Sequence, residues 1–256
     1  MVRLGQNFLA DPNLLDAIAR LSEVADEDVV LEVGGGEGVL TARLAPLARE
    51  VLVVEIDERL RPALEDVRAA HGNVRLVWGD AMRVELAELD PPPTAMVSNL
   101  PYSIATPILV RTVCGLEGVR SWTVMVQREV ADRLRAGPGS RLYGAPSVVL
   151  QLACEVRLLR RVDRAVFTPR PRVDSAILRL ERIAPPPSAA AVRVVRAAFA
   201  HRRKTLAGSL ELAGVASREA AREALAACGL EADARAEALA PEDFTALVAH
   251  LPAGGA

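Results

Sequence analysis

The stretch LEVGGGEGVL, residues 31–40, decides how the chain is read. Its first three residues complete the apolar run 29–33, and glycines then fall at Gly34, Gly36 and Gly38 with Gly35 between the first two. A Val-rich run that ends in glycines is a strand handing over to a helix. A dinucleotide fingerprint has the spacing G-x-G-x-x-G. Counted from Gly34, its third glycine would fall at position 39, which is Val39. The alternate spacing found here, preceded by Glu32, favours a ligand without a pyrophosphate. Glycine serves such a turn because the backbone must bend tightly and let a ligand approach with no Cβ in the way.

Outward from this turn the pattern repeats. Residues 51–56, 74–78, 94–97 and 122–126 are strand-like runs bounded by Gly, Asp or Asn. Helical spacing fills the intervals 40–47, 60–69, 107–114 and 128–134. Continuous apolar strands alternating with helices predict an α/β, Rossmann-like domain: a mostly parallel sheet with helices on both faces. Asp11 and Pro12 read as an N-cap and first helical residue, opening a helix to about Leu21. Residues 148–162 and 175–183 look like two further strands able to pair antiparallel. Pro185, Pro186 and Pro187 then read as a stiff linker. The Ala-rich remainder has helical spacing at about 189–200, 203–212, 217–228 and 241–250. The expected division is 1–184 as the α/β domain and 185–256 as a small all-helical C-terminal domain, without internal repeats.

Two carboxylates sit at predicted strand ends. Glu55 lies 21 residues after Gly34, a spacing at which an acid accepts hydrogen bonds from ribose hydroxyls. Asp80 closes the next strand in WGDAM, where it could accept from an adenine amino group. Ligands of open α/β sheets bind at the carboxyl ends of the strands. Turn, Glu55 and Asp80 therefore outline a pocket for an adenosine-containing cofactor. S-adenosylmethionine fits better than NAD, because it has no phosphates and its cationic sulfonium tolerates an acid-lined mouth. Val77 and Trp78 are core residues or flank the adenine.

The fourth strand ends in VSNLPYSIATP, residues 97–107. An exocyclic amine is a poor nucleophile while its lone pair is delocalised into the ring. The Asn99 side-chain carbonyl, with the backbone carbonyl of Leu100 or Pro101, can accept its two N–H bonds and aim the lone pair at a methyl group. Pro101 fixes the backbone so that the acceptors converge. Tyr102 offers a face for a base taken out of its helix. Catalysis would then be mostly positioning in line with the sulfonium, with no general base.

Composition bounds the rest. The 256 residues are 51% hydrophobic and 25% charged, as in a globular protein. No apolar run approaches the roughly 18 residues of a membrane span, and the N-terminus has no signal-peptide pattern. Three scattered cysteines and three dispersed histidines predict a reducing cytoplasmic setting and no metal site.

The chain closely resembles the ribosomal RNA adenine N6,N6-dimethyltransferases, in their small-subunit branch, over nearly its full length. GQNFL (5–9), LEVGGGEGVLT, VVEID, GDAM and NLPYSIATPIL match successive class I methyltransferase motifs of that family. MVQREVADRLRAGPGSRLYG (125–144), FTPRPRVDSAILRL (167–180) and FAHRRKTLAGSL (199–210) match its later, more specific segments. The resemblance implies that Asn7, Leu9, Gly34, Gly36, Glu55, Asp80 and Asn99 contact S-adenosylmethionine. It implies that Asn99, Leu100, Pro101 and Tyr102 hold the target adenine, with Phe167 stacked on its other face. The implied substrate is two adjacent adenines in the loop closing the 3′-terminal helix of 16S rRNA, each methylated twice within an immature 30S subunit. A monomer is expected. The family commonly has Gly-Pro-Gly where this chain has Gly34-Gly35-Gly36, a change expected to loosen the turn without moving its carbonyls. The basic stretch usual before GQNFL is here reduced to Val2-Arg3-Leu4: a native start would weaken one RNA contact, and the alternative is a trimmed or misassigned start.

A net charge of −2 does not announce an RNA-binding protein. Arg202, Arg203 and Lys204 (the chain's one lysine), with Arg170 and Arg172, are expected to form a basic band across the cleft between the domains. Three adjacent cations at the start of a helix oppose its macrodipole, which stability alone does not favour and phosphates would relieve. Three alternatives compete. The antibiotic-resistance branch, which dimethylates an adenine of 23S rRNA, shares the cofactor motifs and the Asn-x-Pro-Tyr turn. A non-catalytic ribosome-assembly or nucleic-acid-binding factor could use the same scaffold. A protein or DNA methyltransferase is disfavoured by Leu100, where those enzymes have Asn-Pro-Pro-Tyr.

Overall fold

The computed structural model describes residues 8–9 and 11–252. In chain order the first elements are β1 (Phe8–Leu9), α1 (Pro12–Leu21), β2 (Val29–Val33), α2 (Thr41–Leu44), β3 (Glu50–Glu55) and α3 (Arg61–Ala70). Then come β4 (Val74–Trp78), β5 (Ala95–Asn99), α4 (Ala105–Gly115), β6 (Ser121–Gln127), α5 (Arg128–Leu134) and α6 (Ala145–Gln151). β7 (Cys154–Val162), β8 (Phe167–Thr168) and β9 (Ser175–Arg182) complete the strands. α7 (Ala189–Ala200), α8 (Leu206–Leu212), α9 (Arg218–Ala227) and α10 (Pro241–His250) complete the helices.

Seven strands form one sheet in the order β4-β3-β2-β5-β6-β9-β7. The first five run parallel, and β9 is antiparallel to β6. The central strands are Val-rich because both faces are covered: all five residues of β2 are buried, as are five of the six in β3. Leu14, Leu15 and Ile18 of α1, with Leu44 and Leu64, join Val30, Val51 and Val53 in one apolar cluster. The caps expected of such helices are present. Asp11 Oδ1 accepts from the backbone N–H of Asn13 at 2.9 Å, with Pro12 at the first turn of α1.

The chain divides into two compact units, Met1–Ala131 with Glu155–Ile183, and Asp132–Cys154 with Ala184–Ala256. One crossing falls at 183/184, beside the expected boundary at 184/185. The segment 132–154, expected in the first domain, instead packs with the C-terminal helices. Its residues 148–151, read as the start of a strand, are helical. Pro146 in the first turn of α6 and Gly144 before it start that helix in spite of Val148 and Val149, and the strand begins only at Cys154. Within this second unit the Tyr143 ring meets Phe199 edge-on at 5.8 Å, and Phe199 stacks on Phe244 at 6.0 Å. The buried Tyr143 hydroxyl donates to the Leu239 carbonyl at 3.0 Å.

Ser188, Thr205 and Ser217 cap α7, α8 and α9 by accepting from the N–H of Ala191, Gly208 and Ala220. Thr205 as N-cap starts α8 at Leu206, later than the expected 203. His201, Arg202, Arg203 and Lys204 therefore lie in the turn between two helices. There they follow the C-terminus of α7, where cations are favourable, so the helix dipoles do not call for phosphates beside them.

Candidate active site

Strands β2, β3 and β4 step outward in one direction, and the chain then returns to lay β5 on the other side of β2. Such a reversal leaves a crevice at the carboxyl ends of the two central strands. Here the crevice has a visible cause. β2 and β5 are in register at Val30–Ala95 and Leu31–Met96. Further along, the Val33 N–H donates to the Ser98 hydroxyl at 2.9 Å, so a side chain stands in for a ladder carbonyl and the strands part. The cavity above encloses about 230 Å³, far more than the ~10–15 Å³ a water needs, so it has room for a small molecule.

The glycine turn forms one wall. Gly34, Gly36 and Gly38 have φ of +79°, +58° and +76°, which side-chain-bearing residues rarely adopt. A Cβ at Gly34 would lie 3.2 Å from the Pro101 ring, so the glycine turn and the Asn99–Tyr102 turn touch. A Cβ at Gly35 would come within 2.4 Å of Val53 Cγ1 and 3.2 Å of a Leu64 methyl. In this chain the glycine is demanded by packing against β3 and α3.

Glu55, at the end of β3 and 5% exposed, accepts from the backbone N–H of Gly36 at 3.0 Å through Oε2. Its Oε1 accepts from those of Ile56 and Asp57 at 2.9 and 2.8 Å. These bonds aim the carboxylate into the cavity. Asp80, after β4, accepts from the Met82 N–H at 2.8 Å and keeps its side chain 34% exposed at the rim. Its loop is clamped by Arg111 of α4, which donates to the carbonyls of Ala81 at 2.6 Å and Val84 at 2.8 Å. Glu32 is 1% exposed and accepts from the Thr41 hydroxyl at 2.7 Å. Burial, with Glu55 nearby adding to it, raises the Glu32 carboxyl from 4.5 to about 8. Among the described residues four acids line the cavity (Glu32, Glu37, Glu55 and Asp80) and no Lys, Arg or His does. A pyrophosphate would meet only like charge there; a cation is welcome.

Asn99 is the last residue of β5, in register with Met125 of β6, so the strand runs through it. Its side-chain amide bonds to none of the described residues. The Leu100 N–H donates to the Met125 carbonyl at 3.1 Å and pins the turn. The Pro101 carbonyl accepts from the Ile104 N–H at 3.1 Å, whereas no backbone N–H of the described residues reaches the Leu100 carbonyl. Of the two carbonyls expected to serve as the second acceptor, Leu100 is thus the open one. Its side chain is buried beneath the turn. Tyr102 lines the cavity, and its hydroxyl lies 2.7 Å from that of Ser175. Burial raises the Tyr102 phenol above its ordinary value, against the Ser175 bond, so it stays neutral.

The structure brings Leu9, Gly34, Gly36, Glu55, Asp80, Asn99, Leu100, Pro101 and Tyr102 to one cavity. Asn7 lies outside the described residues. Phe167 is not on the cavity wall: it is 3% exposed in the apolar cluster, its strand β8 paired with Leu9 of β1. Trp78 packs on the same cluster under the Arg61 guanidinium, 4.2 Å from its ring centre, and is not on this cavity's wall. Ile56, half exposed on the cavity wall directly after Glu55, was missed. An apolar residue directly after the strand-end acid was the available signal.

The five cations expected to meet RNA are all exposed. Arg170 faces Asp163 at 3.8 Å, and Arg202 donates to the carbonyls of Arg141 at 3.2 Å and Tyr143 at 3.3 Å. Arg202 thus has structural work of its own. Among the described residues no group of three or more His, Cys, Asp or Glu is placed to hold a metal, and no helix is long and apolar enough to cross a membrane.

The family model of the ribosomal RNA adenine dimethylases matches residues 2–252. The ribosomal RNA small subunit methyltransferase A of Thermobifida fusca is 43% identical over 259 positions, covering 97% of this chain and 89% of that protein. The crystal structure of a dimethyladenosine transferase from Plasmodium falciparum superposes with a TM-score of 0.80 at 25% identity, over 94% of this chain and 95% of that one. That of the 23S rRNA methyltransferase ErmE does so at 0.66 and 31% identity, over 96% and 99%. With the family model matching residues 2–252 and a relative 43% identical over 97% of this chain, the chain belongs to the ribosomal RNA adenine dimethylase family.

Proposed function

We infer that this chain is an S-adenosylmethionine-dependent dimethyltransferase for two adjacent adenines in the 3′-terminal loop of 16S rRNA, acting on an immature small subunit. One observation carries the reading: among the described residues the cavity is lined by four acids and no cation, and it opens onto an Asn99 amide that has no partner among them. The residues present fit the cofactor. Glu55 and Asp80 supply acceptors for ribose and adenine, Ile56 an apolar face, and the side-chain-free Gly34–Gly36 backbone a close approach. When bound, S-adenosylmethionine supplies a methyl group activated by a sulfonium. Asn99 Oδ1 and the Leu100 carbonyl would accept the two N–H bonds of the adenine N6. Both lie at a strand end fixed by the Leu100–Met125 bond, so they cost little reorganisation on reaction. Two acceptors draw the nitrogen lone pair out of conjugation and aim it. Tyr102, held as a neutral phenol, serves as a stacking surface and not as a base. The proton of the alkylated nitrogen is acidic enough to leave to water.

The test is methyl transfer to small-subunit particles that lack these methyl groups, read by mass spectrometry of the 16S rRNA 3′ fragment. Wild type should yield N6,N6-dimethyladenosine at two adjacent positions. Asn99→Ala should lose about a hundredfold or more in rate while remaining folded, the usual cost of one oriented transition-state hydrogen bond. Wild-type turnover in Asn99→Ala would sink the assignment. The likeness to ErmE favours one second reading, a 23S rRNA target, so large-subunit particles form the parallel arm.

A further inference from the structure

We propose that Ser175 is a positioning residue for methyl transfer: its buried hydroxyl holds the tip of Tyr102 and so fixes where the stacking surface for the target base stands. The proposal rests on the reading that Tyr102 carries that surface.

Tyr102 follows the end of β5, in a turn with no ladder of its own, and its ring is half-buried on the cavity wall. Its hydroxyl lies 2.7 Å from Ser175 Oγ, and either group could donate. Ser175 is fully buried and held in the sheet. It opens β9 and pairs with Gln127, the last residue of β6, at the end of a seven-pair antiparallel register. The residue before it is held as well: the Asp174 carbonyl accepts from the Arg128 N–H at 2.9 Å, and its carboxylate faces the Arg128 guanidinium at 3.6 Å. The bond thus ties the tip of a side chain on the turn between β5 and α4 to a fixed point of the sheet.

What such a bond can do follows from the geometry of tyrosine. The phenol oxygen lies on the axis through Cβ and Cζ, so holding it does not stop the ring from flipping about that axis. It does stop the ring from swinging about Cα–Cβ, the motion that would carry the stacking face away from the Asn99 and Leu100 acceptors. A base held by those acceptors needs its plane supported at one fixed height, because a misplacement of about 1 Å is costly in a reaction run by positioning. This gives the hydroxyl a purpose that stacking alone does not: phenylalanine would stack equally well. A phenylalanine here would also leave the Ser175 hydroxyl buried without this partner.

The experiment is a double-mutant cycle of Ser175→Ala and Tyr102→Phe, with Tyr102→Ala alongside, using under-methylated small-subunit particles. Assays run well below each variant's melting temperature, and cofactor affinity is measured separately by calorimetry. Ser175→Ala and Tyr102→Phe should each lower kcat about three- to tenfold, the scale of one neutral hydrogen bond. The double variant should be no slower than either single one, and cofactor affinity should not change. Tyr102→Ala should be slower than all of them. If Tyr102→Ala turns over like wild type, the stacking assignment fails and takes the proposal with it. If Tyr102→Ala is impaired but Ser175→Ala is not, the proposal alone is overturned. Multiplying losses in the double variant, or a fall in cofactor affinity with Ser175→Ala, would equally overturn it, since Ser175 would then act elsewhere.

Discussion

Glu32 offers the sharpest test of the electrostatics. Its carboxyl is 1% exposed at the floor of an acid-lined cavity, and burial is the largest cause that raises it from 4.5 to about 8. The neighbouring Glu55 charge adds to the rise, and the Thr41 hydrogen bond opposes it. The folded state therefore holds a proton that the unfolded chain has released between these two values. Stability is fully present below pH 4.5 and is lost as the pH rises through about 8. At 1.36 kcal/mol per pH unit, the interval is worth about 5 kcal/mol. Glu32→Gln keeps the shape, can still bond Thr41, and cannot ionise. Wild type and variant should match near pH 5 and diverge steadily above it. By pH 9 the variant should be the more stable by several kcal/mol, a melting-temperature gap on the order of 10 °C for a chain of this size. Thermal unfolding from pH 5 to 9 without cofactor reads the difference directly, and the other titrations cancel. Calorimetry with S-adenosylmethionine gives a second reading. A cation entering beside neutral Glu32 favours its ionised form, so wild type should release protons on binding near pH 7 and Glu32→Gln should release fewer. A stability gap that does not vary with pH would refute the buried, protonated carboxyl.

Three further outcomes follow from the packing and the charge. Gly35→Ala should cost about 1–3 kcal/mol of stability by overpacking against Val53. It should cost measurably less in a Val53→Ala background, as chemical denaturation of the four proteins would show. Ser98→Ala leaves the buried Val33 N–H without its partner and should cost about 1–3 kcal/mol; an unchanged denaturation midpoint would mean that β2 and β5 close up instead. Replacing Arg203 and Lys204 with Gln should flatten the salt dependence of particle binding by up to about two units of log–log slope, with cofactor affinity unchanged. An unaltered slope would remove both from the RNA contact. Arg202 is left intact because its bonds to Arg141 and Tyr143 would confuse the result.

The residues legible in the sequence are those whose positions are set by strand ends. Gly34, Glu55, Asp80 and Asn99 each follow a Val-rich run, and a parallel sheet brings the ends of its runs to one edge whatever the helices between them do. Local propensity misled where tertiary packing or a cap outranked it. Val148 and Val149 read as strand, yet Pro146 one residue inside a helix start settles the matter. Arg203 and Lys204 read as helix, yet the hydroxyl of Thr205 sets the first turn later. Phe167 shows the limit of a motif match: the resemblance gives it a role at the base, while the structure leaves its ring in the core beside Leu9.

What no single stretch could reveal are the pairings that tune the site. Gly35 reads as a departure from Gly-Pro-Gly until Val53 is set against it. Val53 lies on the neighbouring strand, opposite Glu32 in the parallel register, so its methyl group and the glycine turn compete for one volume. The valine and the glycine are one choice made in two places. Ser98 is similar. In sequence it is a small polar residue before Asn99; in space it replaces one ladder bond and separates β2 from β5 beneath the cavity. Arg111 clamps the Asp80 loop from a helix thirty residues away. In each case the chemistry-bearing residue is visible locally, and the residue that positions it lies on another element. A variant that conserves every motif can therefore still lose the reaction.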